Sequence, residues 1–373
     1  MVISGGGTGG HLYPAIAVCQ ALLAEGHTKL AYVGHPDKAE AQKIPALGIP
    51  FYGVRSSGMP RGRGWLAPFR LALWVWAMAA AVLKAYGVLY RLNPRVVFAT
   101  GGYTTAPVIL AALLQRRPYV VHEPDARPGL VNLKLASYAA AVTCAFEAAK
   151  QRLGNTNTHV TGNPLRGDIG QIAKADGINR LGLGFDPGKP VLLVVGGSQG
   201  AARINQAVVA AVDQLTHRHG LQVLHQTGDQ HGQAVMDAIG HQPALAQNPA
   251  YKVLPFIEDM SAALAAADVA VCRAGSMTLS EMIQANVPMV LVPYPYAAGD
   301  HQRKNAQTAV EQGVALMIED AALDADRLIS VLDELLENDA VGLHQMKAAC
   351  KDLARPDAAG QVVALIQSIA HSE

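Results

Sequence analysis

Two glycine-rich runs are placed where phosphate chemistry would need them. Gly5-Gly6-Gly7-Thr8-Gly9-Gly10 follows the apolar Val2-Ile3-Ser4, and Gly196-Gly197-Ser198-Gln199-Gly200 follows Val191–Val195; each then leads into a helical pattern. Such a turn lets backbone amides and a helix N-terminus come close to a phosphate or diphosphate. His11 comes directly after the first run. A histidine at a helix start beside an anion site is a candidate general base, because its ordinary pKa is ~6.5. Gly275-Ser276-Met277-Thr278-Leu279-Ser280-Glu281 follows another apolar strand and offers a further anion site. Glu281, one turn in, either complements the helix dipole or grips ribose hydroxyls. Asp300-His301-Gln302-Arg303-Lys304-Asn305 follows Val292-Pro293-Tyr294-Pro295. Polar groups on a loop after a strand are the usual makings of a sugar site, with a solvated loop as the plain alternative.

Other chemistries are open to the same residues. Gly5, Gly7 and Gly10 satisfy the dinucleotide fingerprint, but the second strand ends Tyr32-Val33-Gly34-His35, without the acid that would hold a ribose. Gly196 to Gly200 matches the nucleophile elbow of a serine hydrolase, with Ser198 as nucleophile and Asp268 and His301 following in plausible order. The paired first loop, which a hydrolase does not explain, favours a phosphate cradle. The thirteen histidines show no metal-ligand spacing, and in His122-Glu123-Pro124-Asp125-Ala126 the proline would break a zinc-binding helix. No metal is expected.

Elements that alternate strand and helix must position these residues. In the first half, strands are read at Val2–Ser4, Lys29–Val33, Val96–Ala99, Tyr119–His122, Ala141–Cys144 and His159–Thr161, with a helix from Pro14 to Ala24. In the second half they are read at Val191–Val195, Gln222–His225, Lys252–Leu254, Val269–Cys272, Met289–Val292 and Val314–Ile318. The expected fold is α/β, two Rossmann-like domains facing across a cleft. Turn residues Gly162-Asn163-Pro164 mark the boundary, giving domains 1–162 and 163–350 and a C-terminal helical segment, 351–373, that returns toward the first domain.

Composition agrees with this reading and narrows the partners. A chain of 373 residues that is 50% apolar fits two domains, and 30 basic against 29 acidic residues excludes a purely electrostatic nucleic-acid binder. The near-neutral total conceals a split: residues 1–166 carry a net charge of +11 and the remainder −10. No carboxylate side chain occurs between Glu40 and Glu123, a stretch with ten cations, among them Arg61, Arg63 and Arg70, and all three tryptophans, Trp65, Trp74 and Trp76. Leu71–Leu83 is uncharged, 13 residues long, and shorter than the ~20 a spanning helix needs. It reads either as a buried core helix or as an interfacial helix with Trp at the boundary and Arg reaching phosphates; the missing acids favour the second. Four scattered cysteines and a start that runs directly into a strand predict reduced thiols and no signal peptide.

Taken together, Gly5 to Pro14-Ala15, Gly101-Gly102-Tyr103, His122-Glu123, Gly162-Asn163-Pro164, Gly196 to Gly200, Phe256-Ile257, Gly275 to Glu281 and Asp300-His301-Gln302 closely resemble the motifs of the MurG family of peptidoglycan glycosyltransferases, in the family's order along nearly the whole chain. The resemblance implies a GT-B architecture and a metal-independent, inverting transfer of N-acetylglucosamine from UDP-N-acetylglucosamine to undecaprenyl-diphospho-N-acetylmuramoyl-pentapeptide. It implies that domain 163–350 binds the donor: Glu281 on the ribose, the Ile257 backbone on uracil, Arg166 near the nucleotide, Ser198 and the helix opened by Ser276, Met277, Thr278, Leu279 and Ser280 on the diphosphate, and Gln302 on the sugar. From domain 1–162, Thr8, Gly9, Gly10 and Asp125 would complete the donor site. The same Thr8-Gly9-Gly10 loop would hold the acceptor's diphosphate, with Tyr103 and Glu123 also on the acceptor. His11 is the candidate base and Glu123 its rival. Arg61, Arg63, Trp65, Arg70, Trp74 and Trp76 would face an anionic membrane on the cytoplasmic side of the inner membrane, peripherally, where other cell-wall synthesis proteins are further partners. One departure stands out: this chain has Pro124-Asp125 where the family usually has Gln-Asn. An ionised Asp125 cannot donate as an asparagine amide does. Two other classes remain in play, the serine hydrolase on Ser198 and a non-catalytic nucleotide-sugar-binding membrane module.

Overall fold

The computed structural model describes residues 1–60, 66–197, 199–337 and 340–371. The anticipated site residues Arg61, Arg63, Trp65 and Ser198 lie outside the described residues. The chain divides into two units, Met1–Leu165 with Asp357–Glu373, and Arg166–Pro356.

In the first unit β1 (Val2–Ser4), β2 (Ala31–Gly34), β3 (Phe51–Gly53), β4 (Val97–Ala99), β5 (Tyr119–Glu123), β6 (Ala141–Cys144) and β7 (Thr158–Val160) form one parallel sheet, ordered β3-β2-β1-β4-β5-β6-β7. Its helices are α1 (Gly9–Ala24), α2 (Glu40–Lys43), α3 (Ala67–Leu92), α4 (Ala106–Leu114), α5 (Leu130–Leu135) and α6 (Glu147–Leu153). Strand alternation sorts the core onto two faces. Val2, Val97, Val121 and Val142 pack toward α3 and α4, while Ile3, Phe98 and Val120 pack toward α1. Register aligns Ile3 with Phe98 and Phe98 with Val120, so these side chains form a continuous row.

In the second unit β8 (Val191–Val195), β9 (Gln222–Gln226), β10 (Tyr251–Leu254), β11 (Val269–Cys272), β12 (Met289–Leu291) and β13 (Ala315–Met317) are again parallel, ordered β10-β9-β8-β11-β12-β13. Around them lie α7 (Lys174–Arg180), α8 (Ala202–His219), α9 (Gly232–Gly240), α10 (Pro243–Ala246), α11 (Met260–Ala266), α12 (Ser276–Gln284), α13 (His301–Glu311), α14 (Ala325–Leu336) and α15 (Val341–Leu353). The last helix, α16 (Ala358–His371), belongs to the first unit, where Val362, Val363 and Ile366 are buried with Leu12, Val18 and Leu22 of α1.

Three expectations need correction. Strand β3 was not expected, because three residues after Pro50 carry too little alternation to stand out. Helix α1 begins at Gly9, five residues before the expected Pro14; the proline, lacking an N–H, only forfeits the bond to the Gly10 carbonyl. His11 therefore sits inside the first turn. Most consequential, α3 spans 26 residues, twice the uncharged run, and is long and apolar enough to cross a membrane by length and composition. It is not a core helix. Only Ala81, Ala85 and Leu89, spaced four apart, are buried, whereas Trp76 and Leu83 are each 73% exposed.

Candidate active site

Where the order of a parallel sheet reverses, the loops leaving two neighbouring strands diverge and open a crevice at their carboxyl ends. In the first unit the reversal lies between β1 and β4, both paired to each other and each to a strand running outward. Gly5 to Thr8 leaves β1 there, and Thr100 to Tyr103 leaves β4. Gly6 and Gly7 take φ of 121° and 77°, Gly101 and Gly102 of 83° and 80°. At Gly102 the open side is required: a Cβ would come within 2.9 Å of His11 Cδ2.

His11 is tied to the β4 loop twice. Its Nδ1 lies 2.8 Å from the Thr100 carbonyl, and the Thr100 hydroxyl donates to the His11 carbonyl at 2.5 Å. A carbonyl can only accept, so Nδ1 carries the proton and Nε2 is the basic nitrogen. Thr8 is the N-cap of α1, yet its side chain makes no capping bond, and the amides of His11 and Leu12 turn back to the Thr8 carbonyl. Tyr103 lies close over Gly7. Beneath, the buried hydroxyls of Ser4 and Thr104 and the Oδ1 of Asn132 find no partner among the described residues.

Glu123, the last residue of β5, is 1% exposed. Its Oε1 accepts from the Asp125 amide at 3.0 Å, and its Oε2 from the Gly129 amide at 3.0 Å and Asn132 Nδ2 at 2.8 Å. Burial, followed by the charge of Asp125, pushes its carboxyl up to about 8, against the pull of those three donors. Its visible work is to shape the loop from Pro124 to Gly129. His122 is buried as well: Thr143 Oγ1 lies 3.0 Å from its Nδ1 and Asn163 Oδ1 2.8 Å from its Nε2, while Asn163 Nδ2 donates to the Pro124 carbonyl at 3.2 Å. Burial holds His122 neutral, down to about 4.

The second unit repeats the arrangement, with the reversal between β8 and β11. Gly200 packs backbone to backbone on the turn after β9; a Cβ there would stand 1.9 Å from the Thr227 carbonyl oxygen. Gln226, buried, bridges the loops, donating to the Gly197 carbonyl at 3.2 Å and accepting from the Ile257 amide at 3.0 Å. From β11 the chain passes through Arg273-Ala274-Gly275 into α12, whose N-cap Gly275 has no side chain to cap it. Glu281 Oε1 lies 3.7 Å from Arg166 Nη2; burial raises its carboxyl and Arg166 opposes the rise. After β12, Gln302 Oε1 accepts from the Tyr294 amide at 2.9 Å, which leaves the NH2 side of the Gln302 amide facing away. Arg273 Nη1 holds the same loop through the Val292 and Pro293 carbonyls and pairs with Asp320 at 2.6 Å.

Within each unit, therefore, the expected residues gather at the carboxyl ends of the strands: Thr8, Gly9, Gly10, His11, Tyr103, Glu123 and Asp125 in one, Arg166, Ile257, Ser276 to Glu281 and Gln302 in the other. Some can serve only in part. Met277 and Leu279 are buried in the core and have only backbone to offer, and the Ile257 amide is already committed, so a base read there is read through the carbonyl. Trp74 is half-buried, its Nε1 donating to the Ser57 carbonyl at 2.9 Å, while Arg70 is exposed. The hydrolase arrangement fails. Asp268 precedes β11 and its amide bonds the carbonyl of Val191 at the start of β8, so it lies a strand length, ~16 Å, from the glycine loop, and it is paired to Lys174 at 2.6 Å and Lys347 at 2.8 Å. Among the described residues no three His, Cys, Asp or Glu side chains converge as metal ligands. Sequence reading missed Glu40, Thr100, Asn132, Gln226 and Arg273. Only Thr100 carried a signal, its place directly before the Gly101-Gly102-Tyr103 run.

The two units match known domain families. Residues 1–144 match the Glycosyltransferase family 28 N-terminal domain and residues 191–362 the Glycosyltransferase family 28 C-terminal domain. The chain is 34% identical over 376 residues to the UDP-N-acetylglucosamine–N-acetylmuramyl-(pentapeptide) pyrophosphoryl-undecaprenol N-acetylglucosamine transferase of Halothermothrix orenii, covering 99% of each chain. To the transferase of the same name from Chlorobium limicola it is 37% identical, again with 99% of each covered. The crystal structure of Acinetobacter baumannii MurG superposes with a TM-score of 0.76 at 29% identity, over 99% of this chain and 98% of that one. The chain belongs to the MurG family of glycosyltransferases. Its two Rossmann-like α/β domains are of the GT-B class, and a kitacinnamycin glycosyltransferase shares that fold at a TM-score of 0.69, 19% identity and 98% coverage of both chains.

Proposed function

We propose that this protein transfers N-acetylglucosamine from UDP-N-acetylglucosamine to the 4-hydroxyl of a lipid-linked muramoyl-pentapeptide, an inverting step of peptidoglycan synthesis. The observation that carries the reading is the full-length identity, 34% and 37%, to transferases of that name. The site geometry supports it: two helix N-termini without an N-cap side-chain bond, at α1 and α12, each follow a strand at a sheet reversal, one for each anionic substrate.

His11 Nε2 takes the proton of the acceptor hydroxyl as that oxygen forms its bond to C1 of the donor. The bond from C1 to the diphosphate breaks on the opposite face, UDP carries away the electron pair, and the proton stays on the imidazole. Charge developing on UDP meets the first-turn amides of α12 and the Gly196-Gly197 loop. Glu281 and Arg166 hold the ribose end, the Ile257 carbonyl the uracil, and the Gln302 NH2 the sugar. The choice of His11 over Glu123 is supported by the three donors that already occupy the Glu123 carboxylate. Asp125, on the loop from Pro124 to Gly129 with its amide on Glu123, completes the donor site from the first unit.

Attachment to the membrane is peripheral, through α3 on the cytoplasmic face of the inner membrane. Phe69, Trp76 and Leu83 are exposed, with Arg70, Lys84 and Arg91 on the same helix, a combination suited to an anionic headgroup layer. Other cell-wall synthesis proteins are its partners there.

The test is UDP release from UDP-N-acetylglucosamine with and without a short-chain lipid-linked muramoyl-pentapeptide, the product checked by mass. Acceptor-dependent release with a disaccharide product is expected. Donor binding without disaccharide, in this chain and in Asp125→Asn alike, would leave a nucleotide-sugar-binding module instead.

A further inference from the structure

Behind the first glycine loop sits a carboxylate that the mechanism above does not use. Glu40, the first residue of α2, is 1% exposed. The Gly7 amide donates to its two oxygens at 3.2 and 3.4 Å, and the His35 amide donates to Oε1 at 3.2 Å. Lys43, the basic residue of the same short helix, lies over the Tyr13 ring instead, 5.9 Å from its centroid. Two glycines make the room: a Cβ on Gly6, at φ 121°, would meet the carboxyl group at 2.4 Å, and one on Gly34 would meet Glu40 Cγ at 3.0 Å. Among the described residues only backbone amides hold this buried carboxylate, a costly arrangement. Here it occupies an amide of the very loop that faces an anionic substrate.

We propose that Glu40 is a positioning residue for the acceptor's diphosphate: it takes the Gly7 amide out of anion binding and pins the left-handed Gly6-Gly7 turn, so that the diphosphate meets the first-turn amides of α1, at Gly9 and Gly10. The inference rests on reading Gly5 to Gly10 as the acceptor's diphosphate loop. Charge-assisted bonds to backbone amides are the strong ones, and an uncharged amide side chain in the same place would turn an N–H donor toward one of the two backbone donors.

Glu40→Gln is therefore expected to raise the KM for a short-chain lipid-linked acceptor about tenfold, while the KM for UDP-N-acetylglucosamine and kcat at saturating acceptor stay within twofold. A merely structural role would disturb His11 on the same loop and lower kcat at saturating acceptor as well, and that result would overturn the assignment. So would a fall in acceptor KM, which would make the carboxylate a competing anion that the substrate must displace. Transfer by the unmodified protein with an unchanged acceptor KM in Glu40→Gln overturns this inference alone; no acceptor-dependent transfer by the unmodified protein overturns the functional reading and this inference with it. Amide hydrogen exchange on the unmodified protein avoids any folding defect of the variant. Gly7 should be protected before acceptor is added and unchanged after, with Gly9 and Gly10 gaining protection on binding. A Gly7 amide that exchanges freely until the acceptor arrives would sink the proposal.

Discussion

A backbone carbonyl sets the tautomer of His11. The Thr100 carbonyl, 2.8 Å from Nδ1, fixes which ring nitrogen is basic, and Gly102 leaves room for the ring edge. His11→Ala is expected to lower kcat by roughly 10²–10⁴, the range of general acid–base catalysis, while UDP-N-acetylglucosamine binding measured by titration calorimetry stays unchanged; turnover within tenfold of the unmodified protein would remove His11 as the base. A second residue-scale expectation concerns His225, buried between Tyr251 Oη at 2.8 Å and Asn205 Oδ1 at 3.0 Å and held neutral by burial, down to about 4. Its folded pKa lies below the unfolded ~6.5, so between those values the unfolded chain binds the extra proton. The contribution is present above pH 6.5 and is lost as pH falls toward 4. The stability advantage of the unmodified protein over His225→Gln, measured by denaturant unfolding, should shrink across that window; a gap independent of pH would contradict the buried, neutral state. The glycines, His11 and Glu281 were legible in the sequence because their types and spacing are local. Glu40 was not, because only folding brings α2 behind a loop that lies more than thirty residues earlier in the chain.

At the scale of elements, α3 behaves as two half-helices. Its C-terminal half packs through Ala81, Ala85 and Leu89, while its N-terminal half leaves Phe69, Leu71, Leu73, Val75 and Trp76 exposed around its circumference. Burying a large apolar side chain stabilises by about 1.5–3 kcal/mol, so Trp76→Glu with Leu83→Glu should weaken co-sedimentation with anionic vesicles at least tenfold. Turnover of a soluble short-chain acceptor should not change. Equal sedimentation of variant and unmodified protein would show that α3 is not the attachment surface. The sequence indicated the apolar run and its cations but could not assign them to core or surface, since a 13-residue apolar stretch suits either; tertiary packing decided it by covering only one narrow stripe.

Across the whole molecule, the same construction occurs twice: a parallel sheet, a reversal of strand order, and a glycine loop leaving the strand at the reversal. The units differ in how they are closed. The first borrows α16 from the far end of the chain, burying Val362, Val363, Ile366 and Ala370 and tying Gln367 Nε2 to Glu25 at 2.5 Å. A chain ending at Pro356 should therefore show a lower-melting first unit by scanning calorimetry, destabilised by several kcal/mol from the lost apolar burial. The second unit should keep its affinity for UDP-N-acetylglucosamine. Loss of donor binding on truncation would mean that the second unit, too, depends on α16.

The sequence by itself determined the fold class, the two glycine loops and the family, because alternating apolar strands, glycine turns and helix starts are written in contiguous residues whose backbone requirements do not depend on distant partners. Tertiary structure decided which of the gathered groups are available for chemistry. It placed Asp268 at the opposite end of its strand from the second glycine loop, turned Met277 and Leu279 into the core, and took the Ile257 amide with Gln226. It also engaged Glu123 with three donors and put Glu40 behind the first loop. Each of these is a hydrogen bond or packing contact between residues on different elements, and which polar atoms remain open to a substrate is settled only when those partners meet.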